Sequence, residues 1–141
     1  MKVILVLIIG INSLIHADFS NLNGVILDNI TKLKWQDNYY DNNKAIKQGT
    51  WREGIEYCEG LTLNGESNWR LPNINELTSL IDDSRCNPAI NPIFKNSSSF
   101  SYWVSTTLVE NKAKALIVDF YNGYHDSFFK QEVFYVRCVS I

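Results

Sequence analysis

Asp119, Asn122, His125 and Asp126 fall within eight residues around the pair Asn122-Gly123. Two carboxylates, an amide and an imidazole so close together could hold a cation or bond sugar hydroxyls. Turns also select Asn, Asp and Gly for backbone reasons alone. Tyr121, Tyr124, Ser127, Phe128 and Phe129 stand alongside. Rings that cover apolar sugar faces, next to groups that bond hydroxyls, are the mixture expected at a glycan site. Core packing accounts for the rings equally well. The segment is therefore a candidate ligand site, built from Asp119, Asn122, His125 and Asp126.

The same residue types admit hydrolase chemistry. Ser105 or Ser127, with His125 and Asp119 or Asp126, would supply a triad, but no nucleophile-elbow pattern surrounds either serine. No spacing selects two carboxylates for glycoside cleavage. No catalytic residue is assigned. Phosphate loops and nucleic-acid motifs are absent, and 13 Lys plus Arg against 15 Asp plus Glu leave no basic surplus for nucleic acid. The cysteines are isolated, so no metal site and no cofactor are expected.

A second group reads as structural. In Trp69-Arg70-Leu71-Pro72, Trp69 packs and Arg70 ties a carboxylate, with Glu76, Asp82 and Asp119 as candidates. Pro72 leads into a helix. Arg137 precedes Cys138, and strand alternation puts it on the opposite, solvated face.

These residues need a scaffold. Aromatics make up 13% of the chain and hydrophobic residues 45%, which suits a folded core and not a disordered segment. Met1-Lys2, the apolar run Val3–Ile11 and the small residue Ala17 form a signal-peptide pattern. The run is too short to span a bilayer. Export with cleavage leaves residues 18–141 as one domain, periplasmic or secreted, with no later membrane span.

Export also bears on Cys58, Cys86 and Cys138, which admit three pairings. Cys58 lies on a helical apolar stripe and Cys138 in an apolar terminal strand. Cys86 lies in a polar loop. The favoured bridge is Cys58–Cys138, and Cys86 is then a spare thiol that could join two copies.

Val25–Asp28 and Leu33–Gln36 flank a polar turn and form a hairpin. Thr50 and Glu53 make a capping box ahead of a helix over 51–61. Asn73 and Glu76 repeat the pattern ahead of a second helix, whose stripe is Ile74, Leu77, Leu80 and Ile81. Residues 84–101 form a long loop. Strands follow at Tyr102–Thr107, Lys114–Phe120, Tyr124–Phe129 and Val133–Val139, as an antiparallel meander. The class is α+β.

Several segments in this order resemble a known family: Val-Ile-Leu-Asp with Leu-Lys-Trp-Gln, Trp51–Cys58, Asn-Trp-Arg-Leu-Pro with Asn73-x-x-Glu76-Leu77, Tyr102-Trp103-Val104-Ser105, Val118–Gly123 and Tyr135-Val-Arg-Cys-Val139. The chain is similar to the Lcl C-terminal domain, catalogued as a domain of unknown function in exported bacterial proteins. The resemblance implies a C-type lectin-like fold, like that of formylglycine-generating enzymes. It implies a disulfide from first helix to last strand, where Cys58 and Cys138 stand. It also implies adhesion or glycan binding in some members. The calcium-holding motifs of sugar-binding C-type lectins are missing; Trp103-Val104-Ser105 stands where Trp-Asn-Asp would sit.

The resulting expectation is an exported, non-enzymatic binding or adhesion module for a glycan or a protein partner. The alternatives are an envelope enzyme acting on glycan or cell-wall material, and a structural envelope subunit.

Overall fold

The computed structural model describes residues 18–141; the signal-peptide reading falls on residues 1–17, outside it. Nine strands and two α-helices follow in the order β1 (Phe19–Asn21), β2 (Val25–Asp28), β3 (Lys34–Gln36), β4 (Gln48–Gly49), α1 (Trp51–Glu59), α2 (Ile74–Thr78), β5 (Ser101–Thr107), β6 (Lys114–Asp119), β7 (His125–Phe129), β8 (Phe134–Tyr135) and β9 (Val139–Ser140). The strands make two sheets, β1-β2-β3-β9 and β4-β8-β5-β6-β7. The class is α+β, as expected.

Local chemistry sets the elements. The β2–β3 hairpin turns because Asp28 Oδ1 accepts from the main-chain N–H groups of Ile30 and Thr31, at 2.9 and 3.2 Å. Both helices open on complete capping boxes, Thr50 with Glu53 and Asn73 with Glu76. Each box satisfies two main-chain donors that the helix itself leaves open. Gly54 lets α1 press on the C-terminal segment: a Cβ there would stand 3.1 Å from Val136. Helix α2 is shorter than its apolar stripe suggests. The hydroxyls of Thr78 and Ser79 bond carbonyls of Ile74 and Glu76, which competes with continued helix. Ile81 instead pairs in a bridge with Ile90.

The central strands β5 and β6 of the five-stranded sheet are buried on both faces. Tyr102, Val104, Val118 and Phe120 face one cluster with Ile26, Trp35, Leu77 and Phe94. Trp103, Ala115 and Ile117 face the other with Cys58, Trp69, Leu71 and Val136. Trp103 is wholly buried and its indole N–H donates to the Gly49 carbonyl at 2.9 Å.

Two expectations need correction. The last strand is not continuous: β8 lies in one sheet and β9 in the other. The sheet is also not a pure meander, because β8 runs parallel to β5 at Tyr102↔Tyr135 instead of following β7. The cause is the crossing segment Val136–Cys138, buried on all sides as it passes from sheet to sheet. Strands β1 and β4, at three and two residues, lack the length for a legible alternation.

Cys58 in α1 and Cys138 beside β9 are joined, with Cα atoms 5.5 Å apart across 80 positions of sequence. This is the pairing favoured from the sequence. Cys86 is free and exposed. Among the described residues no helix is long and apolar enough to cross a membrane. On the chain-entropy model, closing so long a loop contributes about 4 kcal/mol. The double variant Cys58→Ala/Cys138→Ala should lose about that much in urea unfolding; an unchanged midpoint would show that α1 and β9 hold together without the bridge.

Candidate functional site

The residues singled out around Asn122-Gly123 sit on the β6–β7 turn and the start of β7. One side-chain oxygen each of Asp119, Asn122 and Asp126 is occupied locally. Asp119 Oδ1 accepts from Tyr121 N at 2.7 Å, Asn122 Oδ1 from Tyr124 N at 3.3 Å and Asp126 Oδ1 from Ser127 N at 2.7 Å. His125 and Asp126 are successive strand residues and project to opposite faces. Among the described residues no hydrogen bond joins any two of the four, and no group of three His, Cys, Asp or Glu could hold a metal.

Trp69 is buried and donates to the Glu66 carbonyl at 3.1 Å. Of the three candidate partners, Arg70 takes Glu76, with two parallel bonds of 2.7 Å. Arg70 holds the Glu76 carboxyl below its ordinary range, and the N–H of Asn73 adds to the effect. Glu76 also completes the α2 box, so this motif fixes the start of a helix. Pro72 is buried before it.

Arg137 is not solvated. Its side chain is 1% exposed. Alternation fails here because Val136–Cys138 is no strand but a crossing between two sheets, with core on every side. The guanidinium donates to the Gln36 carbonyl (2.5 Å), Asp37 Oδ1 (3.2 Å), the Asn96 carbonyl (2.7 Å) and Ser97 Oγ (2.9 Å). Its Cζ lies over the Phe94 and Tyr102 rings, 4.8 and 5.7 Å from their centres.

That hub supports a cleft which the sequence did not single out. It has a volume of about 320 Å³ and lies where the β1–β2 turn, residues 37–44 and residues 95–96 meet. Asp37 is its carboxylate, and every oxygen is engaged: Oδ2 accepts from Lys95 N, and Oδ1 from Asn96 N and Arg137. Asn96 Nδ2 returns a bond to the Asp37 carbonyl at 2.6 Å. Asn21 and Asn38 each use Oδ1 on a local N–H, of Gly24 and of Tyr40. Among the described residues their amide N–H groups have no hydrogen-bond partner. Asn23 adds another amide on the rim. Tyr39 is buried and donates to the Val136 carbonyl; burial pushes its phenol well above the usual range, so it stays protonated. Tyr40, by contrast, is 71% exposed, with Lys44 Nζ 5.3 Å from its ring centre. Lys95 completes the wall.

The cleft thus presents amide and ammonium donors beside an open aromatic ring, with no unmatched carboxylate. A broader depression of about 540 Å³ runs past Arg85, Cys86, Pro88 and Phe94. Its walls mix two prolines and other apolar residues with Arg85, Asn87, Lys95 and Ser97.

The model of one family, the Lcl C-terminal domain, matches residues 24–140. The chain belongs to the Lcl C-terminal domain family. No curated protein matches it. The Lcl C-terminal segment holds Asp37, Tyr40, Lys95, Arg137 and both bridged cysteines. It begins at Gly24, so Asn21 and Asn23 reach the cleft from residues ahead of it.

Removing one member of a buried ion pair leaves the other uncompensated, at about 3–5 kcal/mol. Arg137→Met should destabilise the domain by that much in urea unfolding. A loss below about 1 kcal/mol, the range of exposed pairs, would show that the charge is not essential to the packing.

Proposed function

We propose that this chain is an exported, non-enzymatic binding module that recognises a glycan in the cleft between the β1–β2 turn, residues 37–44 and residues 95–96. The observation that carries this reading is the cleft's lining. Asn21, Asn23 and Asn38 supply amides, Lys44 and Lys95 supply ammonium groups, and Tyr40 offers an exposed ring. Amides bond sugar hydroxyls, and an aromatic ring covers the apolar face of a pyranose. Donors outnumber free acceptors, which suits the hydroxyl, carbonyl and acidic oxygens of a glycan. The carboxylate in the cleft is buried and fully bonded, which leaves it poorly placed for acid–base work. Binding should not need calcium, because the carboxylate a calcium ion would require is already committed.

Export is supported by the pattern Met1-Lys2, Val3–Ile11 and Ala17 and by the Cys58–Cys138 bridge, which belongs in an oxidising compartment. A C-type lectin-like fold is supported by the family and by a bridge from the first helix to the segment that enters the last strand. Intact-mass measurement of protein recovered after secretion should give a chain starting at Asp18; an unprocessed Met1 would remove the export reading.

A glycan array probed with the secreted chain, with and without calcium, tests the binding reading. Retention should be the same in both conditions. Tyr40→Ala and Lys95→Ala should each weaken it by about tenfold or more, as for a central contact residue. Asp119→Ala and His125→Ala should leave it unchanged. Retention that ignores Tyr40 and Lys95 but falls with Asp119 or His125 would move the site to the β6–β7 turn, and no retention on any glycan would end the proposal.

A further inference from the structure

Strand β7 is the outer strand of its sheet, and among the described residues nothing pairs with its free edge. On the inner edge it runs antiparallel to β6, from Val118↔His125 to Lys114↔Phe129. Asp119 N donates to the Tyr124 carbonyl beyond one end of this ladder, and Lys130 N to the Ala113 carbonyl beyond the other. Main-chain groups alternate along such a ladder. Those of Asp126 and Phe128 therefore point inward, and those of His125, Ser127 and Phe129 point outward. The edge is aromatic: Tyr124 is 72% exposed, Phe129 43% and Phe128 38%. An exposed aromatic edge of this kind is a template for another strand.

We propose that β7 is a self-association surface and that its occupant is β7 of a second copy, added antiparallel about a two-fold axis. Charge and ring placement choose the register. An axis at Asp126 would set the two Asp126 side chains against each other, and like charges directly opposite are unfavourable. An axis at Ser127 would set Asp126 against Phe128. An axis at Phe128 sets the two Phe128 rings together and places each Asp126 opposite the partner's Lys130. That register combines an aromatic pair with two opposite-charge pairs, each a favourable cross-strand contact. It is self-complementary, as a two-fold contact must be.

The same residues control access to the edge. In the single chain the Asp126 carboxylate covers one outward donor, Ser127 N, at 2.7 Å. On pairing, Ser127 N passes to the Phe129 carbonyl of the partner subunit, and Asp126 passes to the partner's Lys130. In the single chain Lys130 Nζ reaches inward, donating to Thr107 Oγ1 of β5 at 3.0 Å and lying 4.0 Å over the Trp51 ring. To receive Asp126 it must turn from that side of the strand toward the free edge, which its long flexible stem permits. The glycan cleft shares no residue with β7, so the pair would carry two clefts and bind multivalent surfaces with avidity.

Sedimentation velocity tests this, in a Cys86→Ser background that removes any disulfide-linked dimer. The chain should form a concentration-dependent dimer. Asp126→Lys should weaken it by about tenfold or more, because two attractive pairs become repulsive. Ser127→Pro should do the same by deleting an outward N–H, which leaves the β6 ladder intact. Near-UV circular dichroism checks that each variant is folded. Mixing Asp126→Lys with Lys130→Asp should restore the dimer, since both cross-strand pairs are then opposite in sign. A chain monomeric up to about 1 mM, the weak limit of specific association, would overturn the proposal. So would a dimer indifferent to both Asp126→Lys and Ser127→Pro, whatever the folding of Lys130→Asp.

Discussion

One buried guanidinium organises this domain. Arg137 lies where the chain crosses from the five-stranded sheet to the four-stranded one, and it has almost no contact with water. An unpaired charge at that depth would cost more than the fold can supply. Its surroundings are therefore arranged to answer it. The end of β3 gives the Gln36 carbonyl and Asp37, and the long loop gives the Asn96 carbonyl and Ser97. Three segments far apart in sequence meet because one cation needs their oxygens. The disulfide beside it fixes the same crossing covalently to α1.

The cleft follows from that arrangement. Lys95 and Asn96 line it because their main-chain N–H groups bond the Asp37 carboxylate, and Asp37 is held by Arg137. Asn38 and Tyr40 follow Asp37 directly in the chain. A polar wall thus grows from a buried ion pair, and only its outermost groups are left unbonded. Preorganised donors lose little freedom on binding. Tyr40 and Lys44 are the exposed part, carried on a loop above that wall.

How much of this was legible depended on how local the causes are. Both capping boxes, the first hairpin and the strands over residues 101–129 were readable, because each is set by residues within a few positions. Cys58 and Cys138 were readable because periodicity put both in the core. The split between β8 and β9 was not. A run such as Phe134–Val139 looks like one strand whether its two halves join one sheet or two. Arg137 was misplaced for the same reason, since alternation describes a strand with two faces and the crossing has none. The cleft was hidden because its asparagines, at positions 21, 23, 38 and 96, are brought together by a residue some forty to more than a hundred positions away.

The turn at residues 119–126 shows the opposite effect. Chemistry-bearing residues crowd there in sequence, yet one side-chain oxygen each of Asp119, Asn122 and Asp126 is used to shape a turn or cover an edge. Crowding in sequence is what tight turns require, because a short side chain reaches only its near neighbours' N–H groups. Convergence in space is what a binding site requires, and it draws on residues whose local backbone needs are already met by something else. Asn21 and Asn38 meet both conditions: the oxygen of each amide serves its own turn, and the nitrogen is left over. A search for polar residues adjacent in sequence therefore selects for turns. Here the cleft is better found by following the bonds of the buried charge outward to the surface.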